Sequence, residues 1–169
     1  MFSKIFPKIH AEGYKFLVIA GVITIVFYSL SDFLGLIGLV LTIWVYYFFR
    51  DPERVIINDN NFLVSPADGE VIKVEEVDGP KELNLENKRF KKISIFINMI
   101  DCHVDRTPCE GKMEEILYKP GKFFNASLDK ASEENERNYF KIKDTHGNDI
   151  ILVQIAGLIA RRIVCETIK

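Results

Sequence analysis

The chain has 169 residues, with 22 Lys and Arg against 24 Asp and Glu, and the resulting formal charge of −2 argues against a nucleic acid as partner. Its three cysteines, Cys102, Cys109 and Cys165, are odd in number and lack Cys-x-x-Cys spacing, so neither a disulfide framework nor a zinc ribbon is indicated and a reducing compartment fits best. The length leaves room for one modest domain and an additional element.

That element comes first. From Phe16 to Phe49 the only charged residue is Asp32. A single straight helix over this run would be about 50 Å long, well beyond a hydrocarbon core of about 30 Å. Ser31-Asp32 divides it into two arms, Phe16 to Leu30 and Phe33 to Phe49, which predicts a membrane helical hairpin over residues 1–52. Lys4, Lys8 and Lys15 precede it and Arg50 and Arg54 follow it, so both ends carry the positive charge expected on the cytoplasmic side, with the tip facing outward. Because both arms are short, a shallow hairpin within one leaflet is the alternative.

Phe49-Arg50-Asp51-Pro52 ends the helical pattern, since proline disfavours helix at the residue before it. Residues 53–169 then read as a series of short strands. Phe62 to Val77 predicts two strands around the turn Ser65-Pro66-Ala67-Asp68-Gly69, and Asp78-Gly79-Pro80 closes them. The charged segment Lys81 to Lys92 reads as an exposed loop with a solvated lysine face. Phe90 to Ile100 alternates, with Ile93, Ile95 and Ile97 on one side. Gly111 to Tyr118 is the next strand, ended by the turn Lys119-Pro120-Gly121. Phe123 to Glu134 is polar and irregular, a short helix or a loop. Arg137 to Lys143 and Ile150 to Ile155 flank a hairpin loop at Asp144 to Asn148, and Leu158 to Val164 predicts a last strand. The fold class expected is therefore α+β: a membrane helical hairpin followed by a β-rich barrel or sandwich.

The densest chemistry lies at Asn98 to Pro108, where a histidine, two carboxylates, a thiol and an arginine follow an apolar strand. An imidazole beside carboxylates can be held in one tautomer near neutrality, as a general acid or base requires. The plainer reading is a polar turn in which His103 satisfies local hydrogen bonds. A metal site through Cys102 and His103 is disfavoured, because adjacent strand residues point to opposite faces.

Six ordered motifs carry a resemblance. They are Phe49-Arg50-Asp51-Pro52, Ser65-Pro66-Ala67-Asp68-Gly69, Asp101-Cys102-His103-Val104-Asp105-Arg106-Thr107-Pro108, Lys119-Pro120-Gly121-Lys122-Phe123, Asn135-Glu136-Arg137 and Gln154-Ile155-Ala156-Gly157. With them the chain resembles the phosphatidylserine decarboxylase family, in particular its short membrane-anchored type, which includes the archaetidylserine decarboxylases. The resemblance implies a proenzyme that cuts itself at a Gly-Ser bond, leaving a pyruvoyl group on a small partner chain. It implies an anionic serine phospholipid as substrate, a cell-membrane location and homodimers. No Gly-Ser pair occurs in this sequence, so the chain is expected to be the larger subunit, inactive alone and holding no cofactor-binding or metal-ligating residue of its own.

The resemblance further implies that His103 is base and proton donor and that Asp68 orients it. Longer members carry a second histidine where this chain has Arg106, so one imidazole is expected to serve both self-cleavage and protonation. The phosphate and carboxylate of the substrate call for a cation, and Arg106 is the first choice, with Lys122, Asn125 and Arg137 as further contacts. From the residues alone, Asp68 reads as a turn cap, Lys122 as a surface lysine and Asn135-Glu136-Arg137 as an ion-pair corner. Two other readings stand beside the enzyme: a non-catalytic, membrane-tethered β domain that binds lipid or protein, and a metal-dependent hydrolase using His103 and the cysteines.

Overall fold

The computed structural model describes residues 6–57, 59, 61–125 and 131–165; Lys4 and the middle of the stretch from Phe123 to Glu134 lie outside them. The chain forms two compact units that interleave in sequence. One comprises residues 1–58, 65–70 and 97–106, the other 59–64, 71–96 and 107–169.

In the first unit a two-residue strand, β1 (Lys8–Ile9), leads into helix α1 (Gly13–Leu30), helix α2 (Asp32–Phe48) and a second short strand, β2 (Arg50–Asp51). Ser31 alone separates the helices. Its backbone is extended (φ −170°, ψ 140°), its N–H donates to the Phe27 carbonyl at 3.0 Å, and its hydroxyl accepts from the Phe33 N–H at 3.3 Å. One residue thus caps the end of α1 and the start of α2, where Asp32 also suits the positive end of the helix dipole. The break expected at Ser31-Asp32 is therefore real and produces a helical hairpin.

Small residues let the arms approach. A Cβ on Gly38 would come within 3.0 Å of Thr24, and the flat face of Tyr28 fills the space over Gly35. Thr24 donates its hydroxyl hydrogen to the Ala20 carbonyl at 2.9 Å, which leaves Thr42 to donate to Thr24 Oγ1 at 2.8 Å, across the hairpin. The open end is closed by backbone pairing, with Lys8 opposite Asp51 and Ile9 opposite Arg50. The Phe16 and Phe49 rings stack there at 5.0 Å, and the Tyr46 hydroxyl donates to the Pro7 carbonyl at 2.6 Å. Most large side chains of both helices face outward, Ile25 and Leu30 at 71% and 69% exposure. The 18 residues of α1 are long and apolar enough to cross a membrane, and α2 is one residue shorter.

In the second unit, β3 (Glu70–Asp78) pairs with β4 (Arg89–Phe96), and β5 (Gly111–Lys119), β6 (Arg137–Asp144) and β7 (Asp149–Ile155) form an antiparallel sheet with β6 in the centre. A single helical turn, α3 (Ala131–Glu134), precedes β6. The α+β class expected is observed, but in place of a barrel or sandwich the described residues form three small sheets: β1–β2, β3–β4 and β5–β6–β7. Two predicted strands are absent for the same reason, the want of a pairing edge. Residues 62–65 carry no regular structure and 66–69 are bends before β3, and Leu158 to Val164 runs irregularly, with the Gly157 N–H donating to the Ala160 carbonyl at 2.9 Å.

The segment expected as a solvated loop supplies core instead. Pro80 opens a 3₁₀ turn over Lys81–Leu83, Asn84 ends it in the left-handed region (φ 54°), and Leu83 and Leu85 are thereby turned inward. They pack with Tyr139, and Phe90, Leu117 and Ile151 surround them. Leu117 and Tyr139 are directly opposed in the β5–β6 register, so this face of the sheet meets the turn. The loop Asp144 to Asn148 is the hairpin connection expected; the Asp144 carboxylate accepts from the His146 and Asn148 N–H groups at 2.9 and 2.7 Å.

Candidate active site

The motif around His103 stands in the first unit, after β4, on a turn that it builds itself. Asn98 Oδ1 accepts from the Ile100 N–H at 2.8 Å, Asp101 Oδ2 accepts from the Asn98 N–H at 3.0 Å, and the Asp101 N–H donates to the Asn98 carbonyl at 3.0 Å. Asn and Asp in these places replace ladder hydrogen bonds with local ones, which ends the strand.

The turn is fastened to the last two turns of α2. The Trp44 indole N–H donates to the Met99 carbonyl at 3.1 Å. Arg50 Nη1 donates to the Tyr47 carbonyl at 2.7 Å and to the Ile100 carbonyl at 2.9 Å, so one guanidinium joins a terminal carbonyl of the helix to the loop. Cys102 is buried, and its thiol donates to the Arg50 carbonyl at 3.1 Å. His103 follows with its ring stacked on Phe48, centroids 4.0 Å apart and planes 23° from parallel.

Its Nδ1 lies 3.1 Å from the Asp101 carbonyl oxygen. A carbonyl only accepts, so the hydrogen of the neutral ring sits on Nδ1 and the lone pair on Nε2. Burial pushes the imidazole below its ordinary range, the contact with Asp101 and its charge pull the other way, and the Arg50 charge adds to the lowering. His103 is thus a neutral base at pH 7, with Nε2 ready to take a proton.

Arg106 and Asp68 are brought to the same unit by the corner after α2. The Arg106 guanidinium pairs with Asp51 and donates to the Pro52 carbonyl at 3.0 Å, while Arg54 pairs with Asp68. The Arg106 N–H also donates to the Pro66 carbonyl at 2.8 Å, which ties the histidine loop to the turn that bears Asp68. The carbonyl of Asp101 occupies Nδ1 of His103, and the carboxylate of Asp68 is engaged by Arg54.

The other sequence candidates stand in the second unit. Lys122 is exposed, pairs with Glu134 at 2.7 Å and lies 5.3 Å from the centroid of the Phe124 ring. Asn125 is exposed. Arg137 is buried; its Nε donates to the Asn135 carbonyl at 3.0 Å and its Nη1 reaches the Tyr139 hydroxyl at 3.5 Å. Asn135, itself 1% exposed, clasps the Phe124 and Ala156 carbonyls at 2.9 and 2.8 Å, so this corner binds β6 to its neighbours.

Sequence reasoning missed the part played by residues 44–54. Phe49-Arg50-Asp51-Pro52 read as a helix stop, a source of positive charge and a family motif, with no contact assigned to it, although Arg50 and Asp51 hold the histidine loop and Arg106. An arginine and an aspartate placed immediately after an apolar helix were the available signal, since charges at a helix end seek carbonyls and counter-ions.

Residues 41–169 match the family model described as Phosphatidylserine decarboxylase. The phosphatidylserine decarboxylase proenzyme of Pelagibacter ubique is 76% identical over all 169 residues, which cover 79% of that protein. The proenzymes of the same name from Ruegeria pomeroyi and Cereibacter sphaeroides are 51% and 45% identical over 92% and 98% of this chain, covering 71% and 72% of their own lengths. The motifs around Asp68 and His103 and the whole of the second compact unit lie within that match, and the chain belongs to the phosphatidylserine decarboxylase family.

Proposed function

We propose that this chain forms the larger part of a self-cleaving phosphatidylserine decarboxylase that removes CO₂ from the serine headgroup and leaves the ethanolamine lipid. The observation that carries the reading is the state of His103: a neutral ring, stacked on Phe48, with hydrogen on Nδ1 and a lone pair on Nε2. Nε2 takes the hydroxyl proton of the serine at the scissile bond during self-cleavage. In decarboxylation the same atom delivers a proton to the substrate carbon that has lost CO₂.

A pyruvoyl group supplies a conjugated carbonyl that accepts the electrons left by departing CO₂. The residues present fit such a group, since its chemistry calls for a proton carrier in a partly dry setting and a cation for the substrate anion. The half-buried His103 and the Arg106 guanidinium answer these needs. In a self-cleaved proenzyme the group derives from the serine of a Gly-Ser pair and is carried by the small chain, with which the larger part works. Arg106 attracts the headgroup phosphate and exchanges part of its pairing with Asp51 for it. Asp68, held by Arg54, steadies the turn that Arg106 reaches through Pro66. Lys122 and Asn125 are additional headgroup contacts, whereas the buried bonds of Arg137 support a scaffold role.

The hairpin anchors the enzyme in the cell membrane, with Lys8, Lys15, Arg50 and Arg54 at its open end on the cytoplasmic side. A lipid substrate explains why the chemistry follows a membrane anchor so directly. The test is His103→Ala in the full-length proenzyme. Self-cleavage seen by intact mass, and production of ethanolamine lipid, should each fall by about 10²–10⁴-fold. Full processing and activity in that variant would overturn the reading.

A further inference from the structure

We propose that the C-terminal turns of α2 belong to the catalytic apparatus, with Phe48 acting as a positioning residue for His103. The inference rests on the role given to His103 above. Nothing in the family resemblance singles out Phe48, which in sequence is one more aromatic in an apolar helix.

Two contacts fix the histidine ring in orthogonal ways. The stack on Phe48 at 4.0 Å sets the plane of the ring, and the Nδ1 bond to the Asp101 carbonyl at 3.1 Å sets its rotation within that plane. A half-turn about the Cβ–Cγ bond would keep the stack and lose the bond; a tilt would keep neither. The loop beneath the ring has no freedom to compensate, because Met99, Ile100 and Cys102 are each tied to residues 44–50 through Trp44 and Arg50. Trp44 and Phe48 are four residues apart, hence on one face of α2, and their rings lie 5.5 Å apart. The helix therefore offers a two-ring ledge. The loop hangs from its first ring by a carbonyl and rests its imidazole on the second.

The ledge also acts on the chemistry. One face of the imidazole is shut off from water by a hydrocarbon ring, and burial is the largest influence on its proton affinity. The charged groups that act on it are Asp101, on its own loop, which raises that affinity, and Arg50, from the end of α2, which lowers it. Removing the Phe48 ring admits water to the open face while leaving both charges in place. The proton affinity of His103 then rises toward the ordinary imidazole value of about 6.5.

This separates positioning from mere support. Loss of support lowers the yield of cleaved protein equally at every pH; loss of the ledge moves the acid limb of the self-cleavage rate. In Phe48→Ala, made in the full-length proenzyme in lipid nanodiscs, the midpoint of the acid limb should move up, toward the ordinary imidazole range. The His103 imidazole signal, followed by NMR with labelled histidine in the same samples, should shift its midpoint in the same direction. Phe48→Tyr and Phe48→Trp, which restore a flat face, should return both midpoints to the parent values. Should Phe48→Ala not accumulate, Phe48→Val, which removes the flat face and much of the apolar cover, should shift both midpoints in the same direction by less. Unchanged midpoints in both variants would overturn the inference, even where cleavage is slower. Full cleavage in His103→Ala would instead sink the role of the histidine itself, so the two failures are distinct.

Discussion

Around His103 the stabilising contacts are mainly polar and local: carbonyls of the loop answered by an indole, a guanidinium and a thiol, and two exposed ion pairs at the corner after α2. Around β6 they are apolar and long-range: Leu83, Leu85 and Tyr139 buried together, with Ile142 and Phe140 also buried on the same central strand. Exposed ion pairs contribute about 0–1 kcal/mol each, whereas a buried aliphatic side chain contributes about 1.5–3. The second unit thus has the reserve of stability, and the first has the groups free to exchange partners. The chemistry proposed for His103 and Arg106, which must admit a charged headgroup and move a proton, thus falls where side-chain ion pairs are cheapest to exchange.

The contrast can be broken first at Ile142, among the most completely buried side chains. Ile142→Ala should cost about 2–5 kcal/mol through lost burial and the cavity left behind. The β signal in a thermal melt should fall to lower temperature while the helical signal of α1 and α2 keeps its midpoint. If both signals move together, the two units do not differ in the way described.

A smaller effect tests the edge of the sheet. Asp149 accepts from Lys88 at 2.5 Å and from Lys143 at 2.9 Å, and these two lysines hold its carboxyl down to about 2. A carboxyl depressed in the folded state stabilises the fold above the ordinary carboxylate range, and that contribution disappears as pH falls toward about 2. With both lysines partly exposed, Asp149→Asn should cost about 1 kcal/mol at pH 7. Denaturant midpoints measured down the pH scale should show parent and variant converging in acid; a constant gap would show that the loss is steric.

The smallest effect sharpens the account of the hairpin. Thr42→Val removes the hydroxyl that donates to Thr24 and should weaken helix pairing by about 0.6 kcal/mol, the average for such bonds between membrane helices. Steric trapping in micelles can resolve that difference, and a loss of several kcal/mol would mean that the threonine pair governs the hairpin more than its glycines do.

Much of this arrangement could be read from the sequence where its cause is local. The helix break at Ser31-Asp32 and the Asp144 hairpin loop each depend on side chains bonding to backbone a few residues away, whereas the strand expected to reach Ile100 stops at Phe96, before the Asn98 to Asp101 turn. Leu83 and Leu85 were hidden because charged neighbours masked a 3₁₀ turn whose inward side is set by Asn84. The largely apolar run Leu158 to Val164 suggested a strand, but a strand exists only with a paired edge, which composition does not report. The stack of Phe48 on His103 joins positions far apart in the chain, and neither residue signals the other. Motif likeness found the histidine; only the fold reveals what it leans on.

The hairpin is latched at both ends, by Ser31 at the tip and by the β1–β2 pairs at the base. Sliding α2 along α1 by one residue would advance it about 1.5 Å and rotate its side chains by about 100°. Such a slip would break the backbone pairs of Lys8 with Asp51 and of Ile9 with Arg50, and it would swing the Phe48 ring away from the imidazole. The two latches therefore work as a detent: the hairpin has one clocking angle, and the imidazole of His103 inherits it.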